Sequence, residues 1–89
     1  MSNTGYFVYI LLCADGTFYT GTSNDVKKRV ATHNRGQGAK YTKTRRPVKL
    51  LYSEKLIDKS AALKREIAIK KLSRQQKEGL LTANGISWK

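Results

Sequence analysis

Residues 7–21 read FVYILLCADGTFYTG, and this stretch decides the fold. Its first half is rich in β-forming residues and apolar at both odd and even positions, which predicts a strand covered on both faces at the centre of a sheet. Asp15-Gly16 is a hairpin signal, and the residues from Thr17 onward predict the returning strand. The stretch therefore predicts an antiparallel hairpin with one tyrosine on each strand, Tyr9 and Tyr19.

The length of the turn decides whether Tyr9 and Tyr19 share a face of the sheet. A two-residue turn sends the two phenols to opposite faces, because side chains alternate along a strand. A three-residue turn pairs Leu11 with Tyr19, places both phenols on one face and requires Gly16 in a left-handed conformation. The sequence leaves both registers open, and only the second lets the tyrosines serve one site.

The segment after the hairpin predicts a helix, a loop and a third strand. Ser23, Asn24 and Asp25 are candidate N-caps of a helix that ends near Asn34. The following residues, 35–47, contain mainly Gly, Thr, Gln, Lys and Arg, and we interpret them as a mobile basic loop. Residues 48–52 then predict a strand.

Two further helices complete the chain. The first is predicted to begin at Asp58 or Ser60, with its apolar positions at Leu63, Ile67 and Leu72. The spacing of Ser73 and Gln76 is that of a capping box, so the second begins there and reaches about residue 82. The predicted fold class is α/β (α+β): a small three-stranded antiparallel sheet flanked by helices, in the order β-β-α-β-α-α. Residues 1–89 form one domain, with a core over 6–82 and a C-terminal tail over 83–89.

The positive charge is concentrated in one part of the chain. The formal net charge is +12, yet residues 1–26 contain no Lys or Arg, whereas residues 27–50 contain nine cations and no acid. Such a block repels itself unless a polyanion neutralises it, and phosphate backbones are the usual partner. The alternative is a solvated basic face without a partner. The residues expected to contact nucleic acid are Lys27, Lys28, Arg35, Lys40, Tyr41, Lys43, Arg45 and Arg46.

Other classes of protein are not indicated. No apolar run reaches about 18 residues and no Lys or Arg precedes the first apolar stretch, so we expect a cytoplasmic protein without a membrane partner. The single cysteine, Cys13, lies in an apolar strand and is interpreted as a buried inert thiol. A chain of 89 residues has a modest core without room for a cofactor-sized cavity, so we expect no small-molecule cofactor and a function that lies at the surface. We also expect a monomer.

Three polar side chains stand out as candidates for chemistry on phosphate. Arg29 and His33 lie four residues apart on the first helix, so they share a face. An arginine there can stabilise charge on phosphate oxygens, and an imidazole can transfer a proton. Glu66 borders the apolar positions of the second helix and can serve as a hard-metal ligand. Each candidate also has an interpretation without catalysis. Arg29 and His33 can be an ordinary exposed pair on a helix, and Glu66 can form a helix ion pair with Lys70. The two tyrosines can be half-buried packing residues.

In combination, these residues resemble the GIY-YIG nuclease domain, and the resemblance covers residues 7–81, including GAKYT at 38–42. Phe7 stands where the first motif has glycine and Thr20 where the second has isoleucine; both are interpreted as packing changes. Many members carry a late asparagine, for which Asn84 is the candidate, although a helix-ending turn explains it equally well. The residues that match the site of the family are Tyr9, Tyr19, Gly21, Arg29, His33 and Glu66.

The resemblance implies a metal-dependent endonuclease that acts on DNA, selects structure more than sequence and serves repair. One Mg²⁺ or Mn²⁺ ion on Glu66 would polarise the scissile phosphate. Tyr19 is the first choice for the general base, with Tyr9 and His33 as relays or alternatives. Residues of the basic loop, Tyr41 among them, would hold the backbone and stack a base. The alternative is a non-catalytic module that binds DNA or RNA, and a third interpretation is an adaptor for a protein partner.

Overall fold

A computed structural model of the chain describes residues 5–88, and three antiparallel strands lie at its centre. The strands are β1 (Tyr6–Leu12), β2 (Phe18–Ser23) and β3 (Lys49–Leu56), in the sheet order β2-β1-β3. The helices are α1 (Val26–Asn34), α2 (Lys40–Lys43), α3 (Lys59–Lys70) and α4 (Arg74–Ala83). The predicted fold class and the central position of the first strand are confirmed. Among the described residues, no helix has the length and apolar composition needed to cross a bilayer.

The hairpin turns through three residues. Leu11 pairs with Tyr19, and Gly21 pairs with Tyr9. The Gly16 N–H donates to the Cys13 carbonyl at 2.9 Å, and Gly16 has a φ of 85°, which is the left-handed position that this turn requires. The second of the two registers is therefore the one adopted, and both phenols lie on the same face of the sheet.

Side chains of β1 alternate between two apolar clusters. Val8 and Ile10 pack with residues of α3 and α4, whereas Tyr9, Leu11 and Cys13 lie on the opposite face, where α1 covers them. These side chains, including that of Cys13 just after β1, are at most 3% exposed. Burying an aliphatic side chain such as Val8, Ile10 or Leu11 stabilises a fold by about 1.5–3 kcal/mol. The prediction of a strand covered on both faces is confirmed, and Cys13 is buried as expected.

The helix ends follow the predicted caps. The Asp25 carboxylate accepts a hydrogen bond from the Lys28 N–H at 3.1 Å and begins α1. The Asp58 carboxylate accepts from the Ala61 N–H at 2.8 Å, so Asp58 rather than Ser60 is the N-cap of α3. A capping box at the start of α4 is also present. These caps satisfy backbone donors that would otherwise have no partner within the helix.

The apolar positions predicted for α3 are wrong in part. Leu63 is 41% exposed and Ile67 is 56% exposed, whereas Ala62 and Ile69 are completely buried. Residues seven apart lie on the same face of a helix, so Ala62 and Ile69 form the face that packs on the sheet. Relative to Ala62, Leu63 is turned by about 100° and Ile67 by about 140° around the helix axis, because each residue advances the helix by about 100°.

Residues 35–47 contain more structure than the predicted loop. They include the one-turn helix α2, and Thr42 within it is completely buried. The Asn34 side chain accepts a hydrogen bond from the Val48 N–H at 2.7 Å and donates to the Val48 carbonyl at 3.1 Å, which joins the two ends of the segment. The guanidinium of Arg45 lies 3.0 Å from the Asp15 carboxylate in the hairpin turn. The interpretation of this segment as a loop is therefore wrong for the part that forms α2.

Candidate active site

The residues predicted to carry chemistry converge on one cleft of about 220 Å³. Strands β1 and β2 contribute the phenols, α1 contributes the Arg29 and His33 side chains, and α3 contributes the Glu66 carboxylate. The segment that precedes α2 closes the cleft with Gly38 and Ala39. All of the residues matched to the family site lie here: Tyr9, Tyr19, Gly21, Arg29, His33 and Glu66.

Tyr9 and His33 form a buried hydrogen-bonded pair. The Tyr9 hydroxyl lies 2.9 Å from His33 Nε2, and the hydroxyl of Thr42 lies 2.8 Å from His33 Nδ1. Tyr9 and His33 are each only 1% exposed. The alternative of an exposed Arg/His pair on α1 is therefore wrong for the imidazole, although Arg29 itself is exposed.

Two glycines leave the space that this pair occupies. Gly21 lies opposite Tyr9, and a Cβ atom there would be 2.5 Å from the Tyr9 hydroxyl oxygen and 2.7 Å from Cζ. A Cβ atom on Gly38 would lie 2.8 Å from Cγ of the His33 ring. Real Cβ atoms do not approach other atoms this closely, so each glycine is required by a neighbouring ring. The prediction included Gly21 but did not assign Gly38 or Thr42 to the site.

Tyr19 is half-buried and contacts several rings. Its ring meets the His33 ring edge-on at a centroid distance of 5.3 Å and stacks with the Tyr41 ring at 5.9 Å. The Arg45 guanidinium lies 3.9 Å from the Tyr41 centroid, and Lys70 Nζ lies 5.8 Å from the Tyr19 centroid. These contacts make Tyr41 a packing partner of Tyr19, and base stacking by Tyr41 stays a prediction.

Glu66 is the one carboxylate that lines the cleft within the described residues. It forms the predicted i,i+4 ion pair: its Oε2 lies 2.7 Å from Lys70 Nζ, and the Glu66 side chain is 16% exposed. Between residues 5 and 88, no three His, Cys, Asp or Glu side chains are grouped to hold a metal. One carboxylate facing an open cleft suits a Mg²⁺ or Mn²⁺ ion whose remaining ligands are water and a substrate phosphate. The Lys70 ammonium pairs with this carboxylate in the structure and would have to give way to such an ion.

Burial shifts the pKa values of the hydrogen-bonded pair. Burial first, then the neighbouring Tyr19, raises the pKa of Tyr9 to about 12, while Arg29 acts in the opposite direction. Burial and then Arg29 lower the pKa of His33 below its ordinary value of 6.5. At neutral pH, Tyr9 therefore keeps its proton and the imidazole is uncharged.

The free energy of unfolding is expected to decrease as the pH falls below about 6.5, the value for a free imidazole. The unfolded chain then binds a proton at its single histidine, while the folded chain does not because the pKa of His33 is lowered. The contribution of the neutral His33 to the free energy of unfolding is fully present above that pH. It is lost as the pH falls towards the folded-state pKa, with a slope of at most about 1.4 kcal/mol per pH unit. Urea unfolding at several pH values measures it, with His33→Gln as the control; an unchanged slope in that variant would contradict the assignment.

The residues predicted to bind nucleic acid are divided between different surfaces. Lys28 lines a hollow of about 380 Å³ that adjoins the cleft, together with the candidate catalytic residue Arg29 and with Lys59, neither of which was in this set. Lys43 and Arg46 line a separate hollow. The remaining members of the set lie outside both hollows: Lys27, Arg35, Lys40, Tyr41 and Arg45.

Asn84 does not line the cleft. It is the C-cap residue of α4, and its side-chain amide donates to the Leu80 carbonyl at 2.8 Å. Gly85, with a φ of 70°, continues the turn that ends the helix. The structure therefore places Asn84 in a helix-ending turn, the second of the two explanations left open for it.

The model of the GIY-YIG catalytic domain matches residues 5–79. The chain belongs to this family, as the resemblance indicated, and the class that its fold and cleft define is that of the GIY-YIG nuclease domains.

Close relatives of the chain carry the name UPF0213 protein. One from Lacticaseibacillus paracasei is 49% identical over 89 residues, which is the whole of both chains. One from Staphylococcus saprophyticus is 54% identical over 77 residues, or 86% of this chain and 94% of the relative. The solution NMR structure of a UPF0213 protein from Bacillus halodurans has a TM-score of 0.61 and 41% identity, and covers 92% of this chain and 87% of that one. An NMR structure of a protein from E. faecalis has a TM-score of 0.63 and 44% identity, and covers 96% and 92%.

Proposed function

We propose that the chain is a metal-dependent endonuclease that hydrolyses phosphodiester bonds in DNA. The observation that carries the proposal is the meeting of two phenols, a guanidinium, an imidazole and a carboxylate in one open cleft. The membership of the GIY-YIG family and the net charge of +12 support it. Selection of branched or damaged DNA, and a role in repair, belong to the same proposal.

The proposed roles follow from the position of each group. The Arg29 guanidinium is exposed at the mouth of the cleft, where it would bind phosphate oxygens and stabilise the charge that develops on them. Glu66 would hold one Mg²⁺ or Mn²⁺ ion, which supplies Lewis-acid polarisation of the phosphate when bound. Lys70, now paired with Glu66, would move aside or turn to the incoming phosphate.

The choice of general base depends on the phenols. Tyr9 keeps its proton at neutral pH because burial raises its pKa to about 12, which makes it a weak candidate for the base. Tyr19 lines the same cleft but is only half-buried, so a water molecule in the cleft can reach its hydroxyl more readily than that of Tyr9. Tyr19 is therefore the proposed acceptor of the proton from the attacking water, and Tyr9 with His33 orients the reacting groups.

The adjoining hollow supplies a path for the phosphate backbone. It shares Thr22 and Arg29 with the cleft and adds the cations of Lys28 and Lys59. Contacts of this kind hold a strand in register without reading its sequence, which agrees with a nuclease that selects structure.

The test is a cleavage assay with end-labelled branched, single-stranded and duplex DNA in Mg²⁺, in Mn²⁺ and in a chelator. Cleavage is expected with a divalent cation and is expected to stop in the chelator. RNA strands of the same sequence measure the preference for DNA. Failure to cut any DNA with either cation, or full activity in the chelator, would exclude the proposal.

A nucleic-acid-binding module without catalysis is the second candidate, and the Glu66–Lys70 pair favours it. An ammonium at 2.7 Å neutralises the carboxylate without any metal, as in an ordinary helix ion pair. This candidate requires the chain to bind nucleic acid without a divalent cation. The logarithm of the binding constant is expected to fall linearly with the logarithm of the salt concentration. Binding of this kind without cleavage under any tested condition would select it.

A further inference from the structure

The buried hydroxyl of Thr42 makes two contacts on the far side of the His33 imidazole. Thr42 is completely buried in α2, and its Oγ1 lies 2.8 Å from His33 Nδ1 and 3.0 Å from the Ala39 carbonyl oxygen. The Ala39 N–H also approaches Nδ1, at 3.4 Å. This threonine belongs to the stretch 38–42 that resembles the family, but no role was predicted for it.

The hydrogen-bond donors around Nδ1 of His33 indicate which nitrogen of the imidazole carries the proton. Thr42 has one hydroxyl proton, which can go either to Nδ1 or to the Ala39 carbonyl. That carbonyl already accepts from the backbone N–H groups of Thr42 and Lys43, both at 3.2 Å. If Nδ1 carried the proton, the Ala39 N–H would face another N–H. With Nδ1 as the acceptor, the Thr42 hydroxyl and the Ala39 N–H both have a partner.

We propose that Thr42 is a positioning residue that donates to Nδ1 of His33 and so holds the imidazole as the Nε2–H tautomer. The Nε2–H then donates to the Tyr9 hydroxyl oxygen, 2.9 Å away. The second nitrogen of a histidine commonly sets the tautomer through such a bond. Because Tyr9 accepts from the imidazole, its own proton is left to point into the cleft.

The catalytic consequence rests on the proposed function. Tyr9 keeps its proton at neutral pH, so a phenol fixed in this way donates a hydrogen bond to a phosphate oxygen or to the attacking water. The segment that contains the one-turn helix α2 thereby positions the His33 ring. Gly38 allows the backbone to approach the imidazole closely, and Thr42 fixes which ring nitrogen carries the proton. Tyr19 remains the base, and Tyr9 supplies a directed donor.

The test uses the fact that the chain has a single histidine. Long-range ¹H–¹⁵N NMR of the labelled protein at about pH 8, where the imidazole is neutral, reports which ring nitrogen carries the proton. The wild type is expected to show protonated Nε2. A protonated Nδ1 in the wild type would overturn the proposal, whatever any variant does and whether or not the protein cuts DNA.

Two matched variants test the role of the hydroxyl. Thr42→Val keeps the branched shape and removes the hydroxyl, which leaves the Ala39 N–H at 3.4 Å as the remaining donor to Nδ1. It is expected to give a mixture of the two tautomers and to lower kcat by about 10- to 100-fold with little change in KM. Thr42→Ser keeps the hydroxyl and is expected to restore the wild-type tautomer and most of the lost rate. An unchanged tautomer in Thr42→Val, or equal loss in both variants, would overturn the proposal. Tyr9→Phe, which leaves both contacts to Nδ1 in place, is expected to retain protonated Nε2, and loss of that tautomer there would also count against it.

Discussion

Glu66→Gln is expected to slow DNA cleavage by roughly 10²- to 10³-fold while DNA affinity changes little. The glutamine keeps the shape of the side chain but removes the one carboxylate charge that lines the cleft in the described chain. Polarisation of a phosphate by a metal ion contributes several kcal/mol, and each loss of about 1.4 kcal/mol costs a factor of ten in rate. The basic hollow beside the cleft is untouched, so binding is retained.

Glu78→Gln is the matched control. Glu78 pairs with Arg74 across one turn of α4 at 2.8 Å, as Glu66 pairs with Lys70 on α3 at 2.7 Å, but it does not line the cleft. Both variants lose one negative charge and one helix ion pair, and an i,i+4 ion pair on a helix contributes only about 0.2–0.5 kcal/mol to stability. Single-turnover rates and binding isotherms of the two variants separate the effects. Wild-type rates in Glu66→Gln, or equal losses in both variants, would be incompatible with a catalytic carboxylate at position 66.

Gly21→Ala is expected to destabilise the fold by about 1–3 kcal/mol and to remove most cleavage activity. The added methyl group would lie 2.5 Å from the Tyr9 hydroxyl oxygen and 3.2 Å from Cε2 of Tyr19. Tyr9 is 1% exposed and hydrogen-bonded to His33, so moving the phenol away from the methyl group would disturb its packing and this hydrogen bond. A displacement of about 1 Å at a reacting group can cost about 10²-fold in rate.

Gly79→Ala provides the control for this substitution. Gly79 lies in α4, and a methyl group added to it would have no atom within 4 Å beyond its own helix backbone and chain neighbours. Replacing a helical glycine by alanine reduces the entropy of the unfolded chain and is expected to raise stability by about 0.4–1 kcal/mol. The same chemical change should therefore have opposite signs at the two positions in urea unfolding. A Gly21→Ala protein as stable as Gly79→Ala would show that the phenol is not confined as described.

The parts of the fold that the sequence predicted depend on local signals. Asp25, Asp58 and Ser73 cap helices through backbone groups three residues away, and such contacts can be recognised in a short window. Gly16 suited the left-handed position of the three-residue turn, but the sequence left the two-residue turn open as well. Once that register was adopted, the meeting of the two tyrosines followed from strand geometry.

The parts that were missed depend on contacts between distant segments. Thr42 reaches His33 because the chain returns past α1, and a segment rich in Gly, Thr and Lys gives no periodic signal for α2. Leu63 and Ile67 satisfied the helical spacing as well as Ala62 and Ile69 did, so spacing could not identify which pair faces the sheet. Glu66 was found because a carboxylate is unusual beside apolar positions, whereas its partner Lys70 was predicted from helix geometry alone.

The alternation along β1 has a consequence for how this protein can evolve. Val8 and Ile10 serve the core on one face, while Tyr9 between them serves the cleft on the other. A substitution that changes the packing of Val8 or Ile10 would also shift the phenol of Tyr9. Selection for stability and selection for activity therefore act on neighbouring residues of one strand. Diversification towards new substrates is therefore expected at the exposed residues of α3 and the basic segment, where changes leave that strand in place.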